Sequence, residues 1–217
     1  MQILNENYWT ERYQLGNTGW DTGSITTPLK TYFDQLSDKN IKILIPGSGN
    51  SYEASYLFKQ GFSEVYIVDI SQYPLTKFKE QFPHFPSDQI LHQDFFALSE
   101  SFDLIVEQTF FCALNPKLRP AYVRKMYELL NIRGKLVGLL FDDPLYDDHP
   151  PFGGNREEYR QYFTPYFHFQ TFETAYNSIP PRQGRELFIN LMKKEHIKDW
   201  SDLKFLQNDR VTSDDFQ

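Results

Sequence analysis

The chain has 217 residues, a length that fits one large domain and suffices to bury a core without a disulfide or structural metal. Lys and Arg number 22 against 29 Asp and Glu, a net charge of −7 that argues against nucleic acid and anionic membranes as partners, since like charges repel. The single cysteine, Cys112, rules out an internal disulfide, and with no long apolar run and no basic-then-apolar leader the expectation is a soluble cytoplasmic protein.

Residues 1–38 precede the first strand signal and hold Trp9 and Trp20. Ile41-Lys42-Ile43-Leu44-Ile45 is a β-branched run closed by Pro46-Gly47, which reads as a buried strand. A helix is predicted over 51–60, with Gly61 as its stop. Residues 65–68 predict a second strand, 74–82 a helix, 89–91 a brief third strand and 102–106 a fourth. A helical stripe occupies 118–130, and Gly134 separates it from a fifth strand over 135–141. Strands alternating with helices at this spacing predict an α/β fold, a mostly parallel sheet with helices on both faces. Residues 142–155 form a Pro/Gly/Asp loop, and 167–176 with 186–192, joined through Pro180-Pro181, predict a terminal hairpin. Past Glu195 one apolar patch (Trp200, Leu203, Phe205, Leu206) gives way to a polar end. The reading is one domain over 1–194 and a partly disordered extension over 195–217.

The chemistry gathers at the strand ends. The first strand runs into Gly47-Ser48-Gly49-Asn50-Ser51, where glycines let the backbone pass close to a ligand at a helix N-terminus. Alone this is equally a simple strand-to-helix turn. Asp69 ends the second strand about 20 residues beyond Gly49, where a carboxylate can accept ribose hydroxyls. Asp94-Phe95 ends the third strand, a carboxylate for an adenine amino group beside a ring for its face. Three signals on consecutive strands favour a nucleoside site. The dinucleotide fingerprint would need a third glycine where Tyr52 stands, and no triphosphate loop of the G-x-x-x-x-G-K type occurs. A cofactor with ribose and adenine but no phosphate fits better, and S-adenosylmethionine is such a molecule.

Trp9-x-x-x-Tyr13, then Gly16 to Gly23 (Gly-Asn-Thr-Gly-Trp-Asp-Thr-Gly) and Pro28-Leu29, resembles the N-terminal signature of thiopurine S-methyltransferases and of plant and fungal halide/thiol methyltransferases. The likeness continues through the glycine loop, Asp69-Ile70-Ser71, His92-Gln93-Asp94-Phe95, Phe110-Phe111-Cys112-Ala113, Arg119-Pro120-Ala121, Pro150-Pro151-Phe152 and Ile179 to Gly184, about residues 5 to 194. The Phe-Phe-Cys-Ala run and the Pro-Pro-Phe loop look closer to the halide/thiol branch. The resemblance implies a class I methyltransferase sheet of order 3-2-1-4-5-7-6 with an antiparallel last strand. It also implies S-adenosylmethionine contacts at Trp9, Tyr13, Trp20, Gly47, Gly49, Asp69, Asp94, Phe95 and Gln108. Tyr13 stands where relatives often carry Trp, and Gln108 where the halide/thiol branch commonly has Tyr. The acceptor would be a small thiol, bisulfide, halide or thiopurine, its pocket walled by Trp20 and Phe152 with Arg182 drawing in an anion. Residues 1–38, above all Trp9 to Asp21, would form a lid.

Plainer readings stand beside these. Trp9 and Trp20 can be helix anchors, and Arg182 can pair with a carboxylate of the hairpin. Cys112 has no His paired with it in sequence and reads as a small buried hydrophobe. The five His show no ligand spacing, so no metal is expected, and the carboxylates of 142–148 with His149 read as a solvated loop rather than a cation site. Two other functions compete. Gln108 permits a non-catalytic S-adenosylmethionine or S-adenosylhomocysteine binder, which product formation would exclude. A dinucleotide-dependent oxidoreductase is opposed by Tyr52, and titration with NADH separates it.

Overall fold

In the computed structural model, which describes residues 3–197, the elements run α1 (Glu6–Gln14), α2 (Thr27–Phe33), β1 (Ile43–Pro46), α3 (Tyr52–Lys59), β2 (Val65–Asp69) and α4 (Gln72–Gln81). They continue with β3 (Ile90–His92), β4 (Phe102–Gln108), α5 (Arg119–Leu129), β5 (Leu130–Phe141), α6 (Arg156–Phe163), β6 (Phe167–Thr174) and β7 (Glu186–Lys193). The seven strands form one sheet of order β3-β2-β1-β4-β5-β7-β6. The first five pair in parallel, and β7 runs antiparallel to both β5 and β6. The expected fold class is the observed one. Residues 198–217 of the anticipated extension, the apolar patch from Trp200 to Leu206 among them, lie outside the described residues.

All four residues of β1 are buried, because helices cover both faces of the parallel sheet. Alternate side chains go opposite ways. Ile43, Ile45, Leu104 and Val106 pack with Leu29 and Phe33 of α2, Leu57 of α3 and Phe78 of α4. Leu44, Ile105 and Leu136 pack with Tyr122 and Met126 of α5 and Phe163 of α6. No helix among the described residues is long and apolar enough to cross a membrane.

Some boundaries differ from the sequence reading. β5 begins at Leu130, directly on the end of α5, so Gly134 separates nothing; Arg133 takes up a left-handed kink (φ +64°) while β4 shifts register between Phe102 and Leu104. Helices α1, α2 and α6 were not anticipated. α1 has no fully buried side chain, its rings being only partly covered. It lies over the carboxyl end of the sheet, held by Thr10 Oγ1 to Ser71 Oγ at 2.7 Å and by Glu6 to His92 at 3.0 Å. The carboxylates at the start of the 142–155 loop are ion-paired rather than solvated, Asp142 with Arg156 at 2.8 Å and Asp143 with Arg185.

Candidate active site

β1 leads into a loop in which Gly47 (φ +57°), Gly49 (φ +48°) and Ser51 (φ +55°) are all left-handed. A Cβ on Gly47 would come within 2.3 Å of the Phe110 ring, and one on Gly49 within 2.7 Å of the Tyr13 hydroxyl. Glycine is required on both counts. The loop is pressed between the turn after β4 and helix α1.

Asp69, at the carboxyl end of β2, accepts the Gly49 N–H on Oδ2 at 2.9 Å and the Ser71 N–H on Oδ1 at 2.8 Å. Burial pushes its carboxyl up to about 6, while those two N–H groups pull the other way. Each oxygen keeps a lone pair for a further donor. Asp94 caps the short turn Phe95–Ala97 by accepting the Phe96 N–H at 2.9 Å, and Phe95 meets Phe110 edge-on with ring centres 5.2 Å apart.

The N-terminal segment closes over these groups. Trp20 makes edge contacts with Trp9 and Tyr13, centroids 5.6 and 5.8 Å apart. Burial, then the nearby Asp69 charge, raises the Tyr13 hydroxyl far above its ordinary pKa, so it stays a neutral donor. Asp21 ties the segment to the glycine loop, accepting from Asn50 Nδ2 at 2.5 Å and from the Tyr52 hydroxyl at 3.2 Å. That link was not foreseen, and Asn50 following the glycines was its only signal.

The result is a cavity of about 470 Å³ at the carboxyl ends of β1, β2 and β4, within the usual span for a bound small molecule. Trp9, Tyr13, Trp20, Gly47, Gly49, Asp69, Asp94, Phe95 and Gln108 all stand on its wall. Its β4 side is lined by Cys112, Leu114, Pro150 and Pro151. Gln108 accepts the Thr26 hydroxyl on Oε1 at 3.1 Å, which turns its amide nitrogen the other way; that nitrogen is buried and no acceptor reaches it. Burial pushes the Cys112 thiol up to about 12, with the Glu107 charge adding to the rise, so it remains a thiol donating to the Thr109 carbonyl. Among the described residues no three His, Cys, Asp or Glu side chains gather as a metal site.

Two expected acceptor-pocket residues are elsewhere. Phe152 is buried behind the wall, its N–H donating to the Cys112 carbonyl at 2.7 Å, and the prolines before it face the cavity instead. Arg182 is buried beside Glu186 (3.3 Å) and donates to the Trp20 carbonyl at 2.7 Å. It pairs with a hairpin carboxylate, holds the Trp20 turn and is not among the residues lining the cavity. Sequence reasoning also missed Glu53, a buried carboxylate on the cavity wall. Glu107, buried beneath the β4 turn, was missed too. Neither belongs to a spacing pattern.

As a set the wall offers carboxylates for hydroxyl and amino donors, a glycine cradle for close approach, and ring faces for a cation. These are the groups that an adenosyl sulfonium cofactor calls for, so the residues present fit it. The family model described as Thiopurine S-methyltransferase (TPMT) matches residues 4–201. Thiocyanate methyltransferase 1 of Brassica oleracea is 30% identical over 193 residues, covering 85% of this chain and 84% of its own. Probable thiol methyltransferase 2 of Arabidopsis thaliana is 29% identical over 195 residues, covering 85% of each. Among solved structures, Burkholderia thailandensis 1,6-didemethyltoxoflavin-N1-methyltransferase with bound S-adenosylhomocysteine superposes with a TM-score of 0.70 at 14% identity, covering 88% of this chain and 87% of that one. At that identity it bears on the fold alone.

Proposed function

Because this chain belongs to the thiopurine S-methyltransferase family and is an S-adenosylmethionine-dependent methyltransferase, we propose that it methylates a small, soft, anionic nucleophile: a thiolate, bisulfide, halide or thiopurine. The observation that carries the acceptor class is the β4 side of the cavity, where Leu114, Pro150 and Pro151 stand beside a Cys112 held as a thiol: these walls suit a small polarisable nucleophile and offer it no base. When bound, S-adenosylmethionine supplies an electrophilic methyl group on a sulfonium.

In this reading Asp69 accepts the ribose hydroxyls, Asp94 and Phe95 take the adenine, and Trp9, Tyr13 and Trp20 place ring faces toward the sulfonium end. Gly47 and Gly49 let the backbone come close. Residues 1–38 act as a lid over a single domain that ends near 194. An acceptor that arrives as an anion needs no protein base, so the side chains' part is to align it and keep water out. The acidic composition and lone cysteine support a cytoplasmic setting, with no nucleic-acid or membrane partner.

Asp69→Ala should weaken S-adenosylhomocysteine binding by about 1.5–3 kcal/mol, the range for hydrogen bonds to a charged group. Unchanged affinity in a folded variant would remove Asp69 from the cofactor's reach. The acceptor reading is tested by pH–rate profiles for several thiols. Their midpoints should move with each thiol's own pKa and then level off. One midpoint shared by all thiols would mean that a protein group takes the proton.

A further inference from the structure

Four carboxylates stand on the cavity wall, Asp21, Glu53, Asp69 and Asp94. Three are supplied with donors by the protein: Asp21 by Asn50, Tyr52 and the Gly23 N–H, Asp69 by two backbone N–H groups, and Asp94 by Phe96. Glu53, the second residue of α3, is only 6% exposed, yet among the described residues no hydrogen bond from another residue reaches its carboxylate and no cation lies within ion-pair distance. The Arg182 guanidinium attracts it from beyond ion-pair distance but donates to Glu186 and to the Trp20 carbonyl. A place in the first turn of α3 and its own backbone N–H suit a negative charge, but neither supplies the positive partner that a buried carboxylate calls for. Desolvation raises this carboxyl to about 7, a cost that an added positive charge beside it would offset.

Resting on the cofactor reading above, we propose that Glu53 is the anchor for the α-ammonium group of the cofactor's amino-acid end. Asp69 is tied to the glycine loop through the Gly49 N–H at 2.9 Å, Glu53 lies in the first turn of the helix that the loop opens, and both stand on the same cavity wall. A ligand whose ribose is held at Asp69 and which crosses the loop carries its remaining cation toward Glu53. An ammonium brings three N–H donors and a full charge, which is what this carboxylate lacks. Glu53 is thus a binding and positioning residue, and it separates the amino-acid cofactor from nucleosides that end at the ribose or carry phosphate there.

The test is calorimetric titration of the wild-type protein and Glu53→Gln with S-adenosylhomocysteine and with its des-amino analogue, in which 4-mercaptobutyrate replaces homocysteine. Glu53→Gln should bind S-adenosylhomocysteine about 10- to 100-fold more weakly, while the des-amino analogue should bind both proteins alike. Equal loss for both ligands, or no loss for either, would overturn the assignment, the first pointing to a structural role. If the wild-type protein bound neither ligand, the cofactor reading would fail, and the anchor with it.

Discussion

Replacing Arg182 with alanine is expected to lower the unfolding free energy by about 3–5 kcal/mol, the cost of removing one partner from a buried ion pair. Its side chain is 9% exposed and that of Glu186 only 2%, so water cannot replace the lost charge. Burial already raises the Glu186 carboxyl, restrained by the Ser178 hydroxyl and by Arg182; in the variant Ser178 and the weaker pull of Arg185 remain. The same guanidinium lies over the Phe141 ring at 5.4 Å and donates to the Trp20 carbonyl, so the loss also frees the turn that carries Trp20 over the cavity. Urea denaturation measures the stability change, and S-adenosylhomocysteine titration the consequence for the site. Arg182→Lys, which keeps the charge without the planar fork, should fall between. A loss below about 1 kcal/mol, the size expected of a solvent-exposed pair, would contradict this account of the Arg182 pair.

Glu107→Ala should cost about 3 kcal/mol or more, because three donors in the core lose their acceptor at about 1–3 kcal/mol each. Glu107 Oε1 accepts the N–H groups of Phe110 (2.7 Å) and Phe111 (2.9 Å), and Oε2 the Tyr122 hydroxyl (2.5 Å). These bonds shape the turn that carries Gln108 and the left-handed Thr109 into the cavity wall. Burial outweighs them and moves the carboxyl from 4.5 up to about 7. The folded state therefore holds this proton more tightly than the unfolded one. Its contribution to stability is complete below about pH 4.5 and is lost as pH rises through about 7. Glu107→Gln keeps an oxygen for both backbone N–H groups, offers an N–H to the Tyr122 oxygen, and cannot ionise. It should stay close to the wild type in stability at acid pH and show a flatter decline toward neutrality by thermal denaturation. A glutamine variant as unstable as the alanine one would mean that the charge, rather than the acceptor geometry, shapes the turn.

The sheet was legible because its strands are short runs of Val, Ile and Leu buried on both faces, and the glycine loop followed by Asp69 and Asp94 marked their carboxyl ends. The helices that escaped notice lack that signal. α1 has no fully buried side chain and is held by polar contacts to Ser71 and His92, far along the chain. Glycine at 134 looked like a break, although the left-handed residue that turns the chain there is Arg133. Arg182 and Phe152 stand off the cavity wall for a related reason. Residue type told of a charge and a ring, but their directions are set by the Trp20 carbonyl, Glu186 and the Cys112 carbonyl, two of which are distant in sequence. Glu53 and Glu107 could not be read at all, since what matters about each is burial.

The central claim is methyl transfer to a soft anion, and product analysis tests it most directly. The protein would be incubated with methyl-labelled S-adenosylmethionine and, in parallel, with bisulfide, an aromatic thiol, iodide, a thiopurine, an amine and an alcohol. Headspace and liquid chromatography would follow the label. The account predicts labelled methanethiol, methyl thioether, methyl iodide or methylated thiopurine in at least one of the first four vessels, with the amine and alcohol inert. Label on the amine or the alcohol, with all four soft acceptors unmodified, would contradict it.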